Sequence, residues 1–318
     1  MQTTGNTQAM IIQQLYSNSL IESFPQQLMD GSMFFNDRTS EFPEGSKLDI
    51  DQIGDITLSP YAENEPLDFS SIDTSRISLE VQEYDQDGFY ITDKLKEDGA
   101  SKIPGLVAAR IRKSTQAFRT KMVSDVLRTQ DQQVAGDLNL INSQPHRFVA
   151  SGGSDGSRVI TLDDLRQIKL SMDEANIPAN GRIFIVDPTV EFELNGLSQV
   201  VTSENPTFEG LIETGFADRT GMQFYRTIYG LNIMISTTLP VVGAETIDGK
   251  STGAKGVANM AMYVGDDEGK PFMGVIRKNP TAGNKRNDDL QRDEYYGLSR
   301  WGFALQRPES LVTLLTDK

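Results

Sequence analysis

The sequence predicts an α+β fold laid out in several parts, and three stretches carry that prediction. A long amphipathic helix occupies about residues 98–140, an extended acidic hairpin precedes it, and short apolar runs alternate with capped helices after it. The last pattern is that of a small central sheet with helices on its faces. With 318 residues, the chain is long enough for two domains or one elongated, multi-lobed unit.

The long helix is read from Ile103, Val107, Ile111, Phe118, Met122 and Val126, whose spacing of mostly four keeps them in one stripe. Asp98 and Ser101 offer N-terminal caps, and Pro104 is tolerable only in the first turn. At ~1.5 Å per residue such a helix runs roughly 50 to 60 Å, more than one compact domain needs. Its charge is unusual too. Residues 98–130 hold seven bases (Lys102, Arg110, Arg112, Lys113, Arg119, Lys121, Arg128) and two acids (Asp98, Asp125) in a chain of net charge -15, which leaves -20 elsewhere. A basic rod in an acidic chain is matched to acidic protein, either its own or that of other copies; a plainly solvated helix face is the simpler reading.

Residues 1–42 form an N-terminal arm. It is polar to about Gln8, then carries Ile11, Ile12, Leu15, Leu20, Ile21, Phe24, Leu28, Phe34 and Phe35, interrupted by Pro25 and Gly31. Such a segment packs on the body or on a neighbour. Residues 43–75 read as an extended loop, a hairpin of two arms in which Leu48 and Ile50 alternate with Asp49 and Asp51. It holds Asp49, Asp51, Asp55, Glu63, Glu65, Asp68 and Asp73 against one base, Lys47, at its root. Ile77, Leu79 and Val81 then alternate with polar residues as a half-buried strand ending near Tyr84. The strand and helix together make a part covering residues 76–150.

Residues 151–157 (SGGSDGS) read as a flexible link opening a second part, residues 151–280. Thr161 caps a helix carrying Leu162, Leu165, Ile168 and Met172 on one face, ended by Pro178. The run Ile183, Phe184, Ile185, Val186 fits a strand covered on both sides. Asp187 and Pro188 start another helix, closed by Gly196. Apolar runs at residues 231–235, 257–264 and 272–276 complete the central sheet. In residues 281–318, Trp301, Phe303 and Leu305 share one face of a late strand, Pro308 stops it, and residues 311–315 form a short helix or extension returning to the first part.

Composition removes most chemistry. With no cysteine, disulfides, thiolate metal sites and thiol nucleophiles are excluded. The single histidine, His146, falls in a polar loop and reads as solvated. A pI near 4.6 disfavours sequence-independent nucleic-acid binding, and neither an export signal nor a membrane-length apolar run is found. Glu83, Asp85, Asp87 and Gly88 resemble the start of a calcium loop, but Lys94 occupies the position of the required bidentate Glu, so a turn between strands is expected. Residues 243–251 resemble a phosphate loop with the wrong spacing and no helix after it. Acid pairs such as Asp163 with Asp164 sit at helix starts and turns. No catalytic, cofactor or metal residues emerge.

The order of elements resembles that of the major capsid proteins of tailed bacteriophages, with the Hong Kong ninety-seven type fold. Residues 165–188 (LRQIKLSMDEANIPANGRIFIVDP) resemble its helix, turn and strand end. Gly221, Tyr229, Gly230 and residues 236–240 (STTLP) resemble a second motif, and Tyr296, Gly297, Arg307, Pro308, Glu309 and Leu311 its ending. The resemblance implies an arm, an extended loop, a peripheral domain with a spine helix and an axial domain with a central sheet. It implies a non-enzymatic, cofactor-free subunit that self-assembles through hexamers and pentamers into an icosahedral virion capsid in the host cytoplasm. It further implies that the shell encloses double-stranded DNA without sequence-specific binding or a membrane, with scaffolding, portal and decoration proteins as partners. An encapsulating-compartment shell, a tail-tube protein and a carboxylate-using hydrolase are the alternatives. In this family the extended loop of one subunit lies across the peripheral domain of the next. Glu63, Glu65 and Asp68 are therefore expected to meet Arg110, Lys113 and Lys121 of a neighbour. Some members join a loop lysine to a neighbour's asparagine, but residues 48–75 contain no lysine, so no such cross-link is expected.

Overall fold

Two sheets divide most of the strands between them, and one long helix lies where they meet. The computed structural model describes residues 31–42, 44–53, 71–72, 74–81, 84–99, 103–196 and 223–318. The first elements are β1 (Phe35–Asp37), β2 (Lys47–Ile53), β3 (Thr74–Glu80), β4 (Asp85–Thr92), α1 (Asp93–Gly99) and α2 (Ile103–Arg128). Next come β5 (Arg147–Val149), β6 (Gly152–Ser154), β7 (Ser157–Val159), α3 (Leu162–Glu174), β8 (Arg182–Val186) and α4 (Pro188–Gly196). The chain continues through β9 (Gln223–Ile228), β10 (Leu231–Ile235), β11 (Thr246–Ile247), β12 (Lys250–Ser251) and β13 (Gly256–Tyr263), and ends in β14 (Phe272–Asn287), β15 (Arg292–Leu305) and β16 (Leu311–Asp317).

The six-stranded sheet has the order β5-β16-β13-β8-β10-β9. Its central strands β8 and β13 are buried along their whole length, as a continuous apolar run in a doubly covered strand requires. On one face lie Leu165, Ile168 and Met172 of α3 with Val190 and Leu194 of α4. The cap of α3 is the expected one: Thr161 Oγ1 accepts from the Asp164 amide, and the Asp164 carboxylate accepts from the Thr161 amide at 2.8 Å. At α4, Asp187 receives the Thr189 amide and Pro188 occupies the first position.

The four-stranded sheet has the order β1-β14-β15-β4. Helix α2 covers one of its faces with its C-terminal half, burying Phe118, Val123, Val126 and Leu127. These side chains join one apolar cluster with Ile183, Ile185, Met260 and Met262 of the six-stranded sheet and Phe272, Trp301 and Phe303 of the four-stranded one. The two sheets are thereby packed into one core. Close approach depends on glycine at two places. A Cβ on Gly297 would come within 2.8 Å of the Phe118 ring, and one on Gly302 within 2.3 Å of the Glu80 carbonyl oxygen, where the chain leaving β3 crosses β15.

The structure departs from several sequence expectations. The helix expected over residues 98–140 is shorter: α2 has 26 residues and continues only as the single 3-10 turn Thr129–Gln132. Gln133 then turns extended, because its side chain is buried between the His146 carbonyl and the Thr313 hydroxyl. Pro104 does lie in the first turn. Phe272 and its neighbours belong to the four-stranded sheet, where Phe35 and Asn36 pair with them in parallel. Strand β14 runs far beyond the apolar run, with ladder shifts around Lys278 and Pro280, as expected for a proline that has no amide to donate.

Residues 311–315 take the extended alternative, not the helical one: they lie in β16, between β5 (Arg147–Val149) and β13, with each of these five side chains buried. The strand through Ile77 ends at Glu80, and residues 85–88, expected to form a turn, are instead the start of β4, while Glu83 lies outside the described residues. The glycine-rich link folds as the β6–β7 hairpin, with Gly153 and Gly156 at positive φ. The phosphate-loop lookalike is a hairpin, β11–β12, turned by Asp248 and Gly249 at positive φ. His146 is fully buried rather than solvated: its Nδ1 lies 3.2 Å from the Gln144 carbonyl, its Nε2 has no partner, and burial pushes its pKa below the usual value.

One polar contact sits within the shared core. The Trp301 indole donates to Asp125 Oδ2 at 3.0 Å, both side chains are buried, and Lys121 reaches the other oxygen from one helical turn away. Asp125→Ala leaves a buried indole N–H without an acceptor, so the unfolding free energy of the unassembled chain is expected to fall by about 2–3 kcal/mol. Asp125→Asn keeps an acceptor and should lose clearly less. Urea denaturation of the three chains measures both; equal losses would show that the hydrogen bond to Trp301 contributes nothing.

Candidate functional surfaces

Among the described residues, no group of three or more His, Asp or Glu is placed to hold a metal ion, and no helix is long and apolar enough to cross a membrane. The features that call for a partner lie on surfaces. The first is the N-terminal half of α2. There Leu106 and Ile111 are 44% and 38% exposed, whereas Phe118 and Val126 on the C-terminal half are buried. The helix therefore stands on the core by one end and presents apolar side chains at the other.

That outer half is steadied by polar contacts to β4. Asp87 receives Arg110 Nη2 at 2.6 Å and Ser114 Oγ at 2.5 Å, and the Arg110 guanidinium lies 5.6 Å from the centre of the Phe89 ring. Phe89 in turn stacks on Tyr295 of β15 at 4.9 Å. Ile111, Thr115, Phe118 and Pro280 line a crevice beside this stack. Such partly exposed ion pairs contribute roughly 0–1 kcal/mol. They orient the half-helix more than they hold it.

The second surface is the hairpin root. β2 and β3 pair from Lys47 with Glu80 to Ile53 with Thr74. Two of the loop acids are already engaged there: Asp49 accepts from Ser78 Oγ at 2.6 Å, which with Lys47 and Arg76 nearby lowers its pKa, and Asp51 accepts from Arg76 Nε at 2.7 Å. The third is the far end of the β14–β15 hairpin. Arg286 there bridges Asp93, Asp288 and Asp293, while Lys96 reaches Asp93 and Asp293. The hydrogen bond from Arg286 holds the Asp93 carboxyl down at about 2.

A buried polar joint fixes the end of α2 to the six-stranded sheet. Arg147 is almost wholly buried and grips Glu245 with two nitrogens at 2.9 and 2.7 Å, while also donating to Gln130 at 2.5 Å. Despite the cost of burial, the hydrogen bonds to Glu245 hold its pKa below the ordinary carboxylate value. This pair is structural; it positions the helix end and leaves no open site.

Of the residues singled out from the sequence, Arg110 is drawn to Asp87 and Lys121 to Asp125 within the chain, and Lys113 is half-buried on the same helix. Glu63, Glu65 and Asp68 lie outside the described residues. Sequence reasoning missed Asp87, Phe89 and Tyr295 as the seat of α2. The alternation of Asp87, Phe89 and Ile91 with Gln86, Gly88 and Tyr90 was the available signal, hidden by the resemblance to a calcium loop.

Comparison with known proteins bears on these surfaces directly. Residues 76–314 match the family model described as phage capsid protein. No curated protein matches the chain in sequence. Among solved structures, the capsid of Cyanophage Pam1 is similar over 97% of each chain, with a TM-score of 0.68 at 10% identity. A structure from Mycobacterium phage Che8 is similar over 96% of this chain and 97% of that one, with a TM-score of 0.64 at 18% identity. The capsid of a native GTA particle is similar over the whole of both chains, with a TM-score of 0.61 at 11% identity. Those identities speak for the fold, and the family model, matched over most of the sequence, speaks for the kinship: the chain belongs to the phage capsid protein family, as a major capsid protein with the Hong Kong ninety-seven type fold.

Proposed function

We propose that this subunit assembles through hexamers and pentamers into an icosahedral head that encloses double-stranded DNA. The observation that carries the reading is the family match together with a subunit that leaves the apolar outer half of α2 uncovered. Apolar groups in that position gain most when a neighbour covers them. The acidic balance of -15 keeps free subunits apart and gives the shell little hold on packaged phosphate. Assembly in the host cytoplasm, with scaffolding, portal and decoration proteins, belongs to the same reading, as does the absence of any catalytic step.

The division into arm (1–42), extended loop (43–75), peripheral (76–150) and axial (151–280) parts and a returning segment (281–318) is also part of the proposal. Leu311–Asp317 pairs on one side with β13 of the axial part and on the other with β5 (Arg147–Val149), so it joins the two parts in one sheet. Electron microscopy of the purified chain, alone and with a scaffolding partner, should show capsomers or closed shells. Boiled shells should run on a denaturing gel as one band near 35.2 kDa, since residues 48–75 of the loop offer no lysine for cross-linking. A compact monomer under every condition would refute the assembly reading.

Within the shell, the acids Glu63, Glu65 and Asp68 of one loop are proposed to meet the basic side of a neighbour's α2 at Arg110, Lys113 and Lys121. Arg110 already faces Asp87 in its own chain, so reversing it would set two acids together, and the test therefore reverses Lys113, which is itself engaged within the chain. Each exposed pair contributes ~0–1 kcal/mol, but it recurs at every subunit and weakens as the screening length shrinks from ~10 Å at 0.1 M salt to ~3 Å at 1 M. Lys113→Glu should slow assembly at low salt without changing circular dichroism, and Glu63→Lys in the same chain should restore part of the rate. Normal assembly of Lys113→Glu alone at low salt would remove this contact from the account.

A further inference from the structure

The four-stranded sheet uses only one face of its outer half within the chain. On that face Asp293 meets Lys96, Gly297 lies under Phe118 and Trp301 bonds Asp125. The alternate residues of β15 and their cross-strand partners form the opposite face. There Tyr90, Glu294 and Lys285 make one row, and Gly88, Tyr296 and Gly283 the next. Arg292 lies 4.5 Å from the centre of the Tyr90 ring, and Lys278 and Arg300 lie 5.8 and 5.4 Å from that of Tyr84. Tyr84, Tyr90 and Tyr296 are 53%, 59% and 47% exposed. On these rows and those flanking them, Lys278, Lys285, Arg292 and Arg300 stand against Glu294, which pairs with Arg292 at 2.7 Å, in a chain of net charge -15.

We propose that this open face is a contact surface for a second copy of the chain, seating an acidic part of the neighbour on Tyr90, Tyr296 and the four surrounding bases. The inference rests on the self-assembly reading and names a surface it did not specify. Charge complementarity carries it: apart from its basic helix and this face the chain is acidic, so another copy offers the matching sign. Tyrosine and arginine are also the side chains that concentrate binding energy in protein interfaces. Rings already set against guanidinium groups lose little further freedom on docking.

The test places p-benzoylphenylalanine at Tyr90, and separately at Tyr296, in the full chain. Shells are then assembled from equal parts of variant and nitrogen-15-labelled wild-type subunits and irradiated. The proposal expects a denaturant-resistant dimer in which position 90 or 296 is joined to a peptide of the other isotope. Shells that form but give cross-links only within one chain, or only to nucleic acid, would overturn it while leaving the assembly reading standing; wild-type subunits that never form shells would overturn both. As a second measurement, Lys278→Glu with Lys285→Glu should raise the subunit concentration needed for assembly at least ten-fold with unchanged circular dichroism. Assembly at the wild-type concentration would contradict the proposal.

Discussion

The fold depends on the packing of the C-terminal half of α2 into a core shared by both sheets. Phe118, Val123, Val126 and Leu127 touch that core from the helix, and Trp301 and Met262 from the two sheets. Burying each such side chain yields roughly 1.5–3 kcal/mol before entropy is counted. The exposed ion pairs along the helix contribute about 0–1 kcal/mol each. Apolar packing therefore holds the helix, and charge decides what else it faces. The Asp125 hydrogen bond to Trp301 adds direction to this packing, fixing the rotation of the helix over β15.

A rod anchored at one end has a consequence for a shell subunit. The outer half of α2 rests on the Asp87 contacts and the Phe89–Tyr295 stack, and shows Leu106 and Ile111 to solvent. The hairpin of β2 and β3 packs Leu48, Ile50 and Ile77 against Met273, Val275 and Ala304 at the other end of the four-stranded sheet, leaving Asp49 and Asp51 exposed. Such a subunit has a rigid joint near its middle and incomplete surfaces at its edges. In the proposed assembly, neighbours complete the edges without disturbing the joint, because the two draw on different side chains.

Much of this was legible in the sequence, for identifiable reasons. The capping residues Thr161 and Asp187 and the run Ile183 to Val186 act locally, so their elements stand where periodicity places them. The long helix was legible by its stripe, but its end was not: Gln133 leaves the helix to bond His146 and Thr313, partners 13 and 180 residues away. β14 was cut short at Ile276 because its outer half is polar on an open face, where alternation carries little hydrophobic contrast. The sequence left β16 open between helix and extension because Leu311 to Leu315 is too short an apolar run to distinguish strand from helix. The surfaces were the least legible, since which base faces which acid is set by cross-strand register. Arg110 belongs to Asp87 only once β4 lies under α2.

The central claim is that α2 has an inner half held by the subunit's own core and an outer half completed by assembly. Amide hydrogen exchange, measured peptide by peptide on the unassembled subunit and on the assembled shell, tests it most directly. The account predicts that peptides covering Phe118 to Leu127 are strongly protected in both states, and that peptides covering Ile103 to Ile111 become protected only in the shell. Equal protection of the two halves in the free subunit, or no gain over Ile103 to Ile111 on assembly, would contradict it.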